Sequence, residues 1–163
     1  MSFVGIISSS DNYDFIQNEI KNKKEFKNLK LINLNQKNIE NMRNIKFETL
    51  VFDTDMKKMN EVKDIIYNIL KNAKYLIINS DLYSLKETIN NDLQIITYGM
   101  GQKATVTASS IKDDEIMICL QRNIENINGN IIEMQESKVK DSHISNDRIY
   151  DLLVIFVLKN LYS

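Results

Sequence analysis

Short apolar runs recur along the chain, each stopping abruptly at small or polar residues, and amphipathic stretches fill the spaces between them. FVGIIS (3–8), LKLINLN (29–35), FETLVFDTD (47–55), YLIIN (75–79) and LQIITYG (93–99) read as strands, most of them apolar enough to be buried on both faces. SSSDN supplies capping chemistry for a helix over Tyr13 to Phe26, with Phe15, Ile16, Ile20 and Phe26 on or near one face. IENMRN predicts a short helical link with Ile39 and Met42 turned inward. Met59, Val62, Ile66, Ile69 and Ala73 recur at helical spacing and predict one continuous helix over 59–73. LKETINN predicts a short helix between the fourth and fifth strands.

Strands alternating with helices predict right-handed crossovers and a mainly parallel sheet. After Gly101 the pattern changes. ATVTASSI, EIMICLQR and NIIEMQESKVK are strand-like runs with short connections, so they predict antiparallel hairpins, with a turn at Asn128-Gly129. NDRIYDLLVIFVLKNLYS predicts a capped final helix that docks Ile149, Leu152, Leu153, Phe156 and Leu161 on the sheet. From Leu152 to Leu158 that helix is apolar almost all round, which calls either for burial inside the fold or for a homodimer interface. The expected fold class is therefore α/β: a three-layer, Rossmann-like, mainly parallel sheet with helices on both faces, antiparallel C-terminal hairpins and a final apolar helix. No linker or repeat interrupts residues 1–163, so a single domain is expected.

Composition removes several function classes. The 21 basic and 22 acidic residues give a net charge of -1, and they are spread along the chain, so neither nucleic acid nor an anionic membrane is expected as partner. The one basic run, Lys21 to Lys30, is diluted by Asn and Glu. The N-terminal apolar run is too short for a signal peptide, and no stretch reaches the roughly 20 apolar residues a membrane helix needs. The single cysteine, Cys119, lies in an alternating strand and reads as a packed core thiol. These features fit a reducing cytoplasm. The lack of proline and the abundance of Asn, Lys and Ile point to an AT-rich genome.

In parallel α/β sheets ligands collect at the carboxyl ends of the strands. Here those ends carry Ser8, Ser9, Ser10 and Asp11, then Asp53 and Asp55, then Asn79, Ser80 and Asp81, then Gly99 to Lys103. Ser9, Ser10, Asp11, Asp53, Asp55, Asn79, Asp81, Gly99 and Lys103 are the candidate ligand-binding rim. Against catalysis, the turn after the first strand has no glycine with which to cradle a phosphate, and neither a P-loop nor a dinucleotide fingerprint is present. No nucleophile and base stand in a recognisable arrangement, and no metal or organic cofactor is expected.

The order YLIINSDLYSL, LQIITYGMGQKATVTASSI, hairpins and DRIYDLLVIFVLKNL resembles the distal half of the central, ATP-binding domain of Mur ligases and folylpolyglutamate synthases, over roughly residues 75 to 160. Asn79, Ser80 and Asp81 match that family's Asn-Ala-Asp-Asp strand end, Tyr98 and Gly99 its aromatic-glycine pair, and Ala104 to Val106 its following strand. Ile149, Tyr150 and Leu153 fit the apolar frame of its His-Asn-x-x-Asn helix, where Arg148 and Asp151 stand in place of asparagine. The second Asp of the family's pair is Leu82, and FVGIISSSDNYDF keeps the first strand without the P-loop. The resemblance thus implies a bacterial scaffold that has lost ATP-dependent ligation and acts by binding a protein partner or a small ligand. Two alternatives remain open. One is a degenerate receiver-like module using Asp53, Ser80 and Lys103, and the other is a small divalent-metal enzyme built on Asp53, Asp55 and Asp81.

Overall fold

The computed structural model describes residues 1–54, 56–82, 92–140 and 144–163. Its centre is an eight-stranded sheet in which the second strand of the chain lies at one edge, followed in order by the first, third, fourth, fifth, sixth, seventh and tenth. The parallel part comprises β1 (Ser2–Ile7), β2 (Leu29–Asn33), β3 (Thr49–Phe52), β4 (Tyr75–Asn79) and β5 (Gln94–Tyr98). Every residue of β3 and β4 is buried, as expected of apolar strands covered on both faces. Gly5 has no room for a side chain, since a Cβ there would stand 2.6 Å from Leu34 Cδ1.

The C-terminal strands extend the same sheet. β6 (Val106–Ile111) meets β5 at the single rung Tyr98–Val106, so no crossover helix is needed between these parallel neighbours. From that rung β6 runs on past the carboxyl end of β5. β7 (Glu115–Leu120) returns antiparallel beside it. A small separate hairpin, β8 (Ile124–Glu125) with β9 (Ile131–Ile132), precedes β10 (Gln135–Lys140), which closes the sheet antiparallel to β7. The expected single strand over 130–140 is thus divided between two sheets. The predicted Asn-Gly turn is present: Gly129 has φ +79°, and the Asn126 side chain accepts from the Asn128 and Asn130 N–H groups.

Helices cover both faces. On one lie α1 (Ser10–Ile20) and α3 (Asn146–Tyr162), packed with Val4, Ile6, Val51, Ile77 and Ile96. On the other lies α2 (Lys63–Leu70), packed with Ile7, Leu50, Phe52, Leu76 and Ile78. Alternate residues of β3 and β4 therefore serve the two cores. α1 starts earlier than expected because Ser9 caps it, its Oγ accepting from Asn12 N at 3.3 Å, and it stops at Ile20 before a 3₁₀ turn, Lys24–Phe26. The helix expected over 59–73 begins instead as a 3₁₀ segment, Met56–Val62. There the carbonyl of Lys58 accepts from Gln36 Nε2, a bond that anchors this segment to the β2–β3 connection. Its apolar stripe still holds, with Met59, Ile66, Ile69 and Ala73 buried. The helix expected over 85–91 lies outside the described residues.

α3 decides the interior. Asp151 to Leu158 are all buried, and Leu153, Val154, Val157 and Leu158 have no exposure at all, each such burial being worth roughly 1.5–3 kcal/mol. The helix lies between the sheet, α1 and the β8–β9 corner, where Ile127 N donates to Leu161 O at 3.1 Å. At its far end the Tyr162 and Thr49 hydroxyls lie 2.6 Å apart. The all-round apolar pattern is thus met largely by burial within the chain's own fold.

Candidate functional site

The carboxyl ends of β1, β3, β4 and β5 converge under the first turns of α3. Asp53, just past β3 and nearly buried, takes Asn79 Nδ2 on Oδ1 at 3.1 Å and Asn12 Nδ2 on Oδ2 at 3.4 Å, and its own N–H donates to Ile7 O. Asp53, through its carboxylate and its N–H, so ties together the ends of β1, β3 and β4 and the first turn of α1. Asn79 also accepts the Asp81 N–H on its Oδ1 at 3.0 Å, which shapes the turn after β4 as an Asx turn.

Asp81 performs a similar function on the exposed side. Its Oδ2 receives the Met100 N–H at 2.8 Å and the Tyr150 hydroxyl at 2.9 Å, so one oxygen joins the β4 turn, the β5–β6 loop and α3. Gly99 is required beneath it: a Cβ there would lie 2.7 Å from Ser80 Oγ and 2.8 Å from Asp81 Oδ1. The Ser80 hydroxyl donates to Tyr98 O at 3.1 Å.

The least conventional group lies near Asp53. Asp151 is fully buried on the first turns of α3, with Oδ2 3.1 Å from Arg148 Nη1 and Oδ1 unpartnered. Burial, and secondarily the neighbouring Asp53 charge, raise its carboxyl to about 7 against the pull of Arg148. Tyr98 is buried beside it, edge-on to Tyr150 with ring centroids 6.5 Å apart. Although its hydroxyl faces Asp53, it completes no hydrogen bond, and desolvation followed by the Asp53 charge holds its pKa well above the ordinary tyrosine value. Arg148 in turn stacks 4.7 Å over the Phe15 ring and donates to Asp11 O at 3.4 Å, so that the acid, the cation and α1 form one assembly.

Of the rim predicted from sequence, the structure brings Asp53, Asn79, Asp81 and Gly99 together. Ser9 is exposed and serves as a helix cap, while Ser10, Asp11 and Lys103 are exposed around the edge, and Asp55 lies outside the described residues. Sequence reasoning missed Asn12, Tyr98, Tyr150, Arg148 and Asp151 as members. The available signal was Asp151 itself, an acid one turn from Arg148 at the head of an otherwise apolar helix.

Beside this network opens a cleft of about 510 Å³ at the ends of β1 and β2, next to the β3 turn. Ile7, Leu34 and Met59 form its apolar base, and Ser8, Asn35, Lys37, Thr54 and Lys58 are among its polar lining. It lies where the strand order reverses between β2-β1 and β1-β3, the position at which open α/β sheets take their ligands. Among the described residues no three Asp, Glu, His or Cys side chains are grouped to hold a metal, and no helix is long and apolar enough to cross a membrane. No family model matches the chain, and no curated protein matches it.

Proposed function

We propose that the chain is a noncatalytic binding module on a scaffold resembling the central domain of Mur ligases, acting in the bacterial cytoplasm on a partner or small ligand rather than turning over a substrate. The observation that carries this is the engagement of its strand-end acids in holding loops. Both oxygens of Asp53 accept from asparagine amides, and Asp81 accepts a backbone N–H and a tyrosine hydroxyl on one oxygen. A general base or metal ligand needs a free lone pair aimed at the reactant. Here three of the four oxygens of Asp53 and Asp81 already accept hydrogen bonds from the protein.

What remains open at the strand ends is the cleft between β1, β2 and β3, with an apolar base and two lysines in its lining. That combination suits a small molecule with an anionic group. Thermal unfolding with and without Mg-ATP, ADP, GTP and UDP-sugars tests the proposal, since a ligand that prefers the native state raises the midpoint by mass action. The expected outcome is a raised midpoint with an anionic ligand and no turnover. Hydrolysis of ATP that Asp53→Asn abolishes would overturn it in favour of an enzyme.

A further inference from the structure

Among the described residues Asp151 is the one acid with no solvent exposure, and its surroundings serve the ionised form poorly. Oδ2 has the Arg148 guanidinium at 3.1 Å, whereas Oδ1 is buried without a donor. A carboxylate oxygen in that position loses its hydration and gains no hydrogen bond, and a proton removes the cost. Asp53 adds a second negative charge at the end of β3, and the Tyr98 hydroxyl of β5, which faces Asp53, makes no hydrogen bond to either acid. α1 and β4 contribute the neutral amides of Asn12 and Asn79, and both go to Asp53. Asp81 is engaged by Tyr150 and Met100 N, while Asp11 and Asp147 are exposed on the first turns of α1 and α3. Arg148 is therefore the single cation set against this acidic corner.

The first turn of α3 is the part of the helix able to respond. From Leu152 to Leu158, and again at Leu161, the helix is held by burial in the core. Its start is held differently. Ser145 makes no side-chain cap bond, and Asn146 and Asp147 are exposed. The turn is fastened by Ile149 in the core, by Arg148 on Phe15 and Asp11 O, and by the Tyr150 hydroxyl on Asp81 Oδ2 at 2.9 Å. That same oxygen holds the Met100 N–H at 2.8 Å, so lifting the turn also loosens the β5–β6 loop. Segments fastened by a few exposed polar contacts open at lower free energy than the whole fold.

We infer that Asp151 is a proton-operated latch: protonated, it lets the first turn of α3 lie closed over the strand ends, and its ionisation drives that turn and the β5–β6 loop to open together. Opening hydrates the carboxylate and separates it from Asp53. In the closed state the carboxyl is raised from 3.8 to about 7, so opening releases a proton. It is therefore unaffected by pH below about 4, becomes easier as pH rises from 4 to 7, and levels off above 7. Between pH 6 and pH 8 the open fraction gains about tenfold. The latch requires no ligand in the cleft, so it stands or falls separately from the binding-module proposal.

Solvent exchange of single amides in the full chain, measured by NMR at pH 6 and pH 8 and corrected for the intrinsic pH dependence of exchange, tests the latch. The Met100 and Arg148 amides should open about tenfold more at pH 8 and respond little to low urea, because a local opening exposes little surface. The amides of β1 should stay far better protected and respond strongly to urea, since they exchange by global unfolding. In Asp151→Asn, which keeps an acceptor for Arg148, the pH effect on Met100 and Arg148 should vanish. A second measurement needs no variant: in the wild type with ¹³C-labelled aspartates, one carboxyl should titrate near pH 7. Equal urea dependence at Met100, Arg148 and β1, an unchanged open fraction between the two pH values, the same rise in Asp151→Asn, or no aspartate titrating near pH 7 would each overturn the inference.

Discussion

Asp151 and Arg148 form an ion pair 3.1 Å long in which the acid is fully buried and the cation a third exposed, and only one of the two carboxylate oxygens is engaged. The pair fastens the start of α3 over the strand ends, because Arg148 also rests on Phe15 of α1. An acid buried with one free oxygen and a second acid nearby is held on sterically good but electrostatically poor terms. Its consequences are measurable.

The first concerns pH. The Asp151 carboxyl moves from its ordinary value of 3.8 to about 7 in the folded protein, so folding favours the protonated form. Its effect on stability is therefore absent below about pH 4, grows as pH rises from 4 to 7, and is constant and destabilising above 7. Asp151→Asn should remove that loss while still accepting from Arg148, raising stability at pH 8 by a few kcal/mol and leaving it nearly unchanged at pH 4. Urea unfolding of both proteins at the two pH values checks this. A variant less stable than the wild type at pH 8 would show that the Arg148 pair outweighs the cost of burial.

Two buried tyrosines should respond oppositely to loss of their hydroxyls. Tyr75 donates to Glu125 O at 3.0 Å, so Tyr75→Phe should cost about 1 kcal/mol. The Tyr98 hydroxyl faces Asp53 without reaching ordinary hydrogen-bond geometry, so Tyr98→Phe should be neutral or stabilising. Chemical denaturation of the pair of variants separates the cases, and a loss above about 2 kcal/mol at Tyr98 would mean that its hydroxyl is bonded.

At the β5–β6 loop, two glycines that look equivalent in the sequence should differ. Gly99→Ala would press a methyl against Ser80 and Asp81 and displace the carboxylate that holds Met100 N and Tyr150, costing about 1–3 kcal/mol. A Cβ at Gly101 meets only Asp81 Oδ1 at 3.9 Å, so Gly101→Ala should be nearly silent. Melting temperatures of the two variants decide the matter.

Asp53→Ala should unfold the protein more easily by about 1–3 kcal/mol, because it leaves the buried Asn79 amide without its acceptor. Asp53→Asn keeps an acceptor and should recover part of that loss. If Asp53→Ala proves harmless while ligand binding disappears, the carboxylate serves a ligand rather than the strand ends.

The sequence by itself determined the strand and helix order, because periodicity of apolar positions records which faces are buried. FVGIIS, YLIIN and LLVIFVL carry that record without ambiguity, and the Asn128-Gly129 turn is set by the positive φ that glycine adopts freely. It placed Asp53, Asn79, Asp81 and Gly99 near one another through the rule that strand carboxyl ends share one rim. Only the tertiary structure decided that the hairpins continue the parallel sheet, because a single rung between Tyr98 and Val106 is a matter of register rather than local pattern. It likewise decided that Asp151 and Tyr98 lie beside Asp53. Residues so distant in the chain meet through the docking of α3, and the energy of that meeting comes from charges and burial that no local spacing encodes.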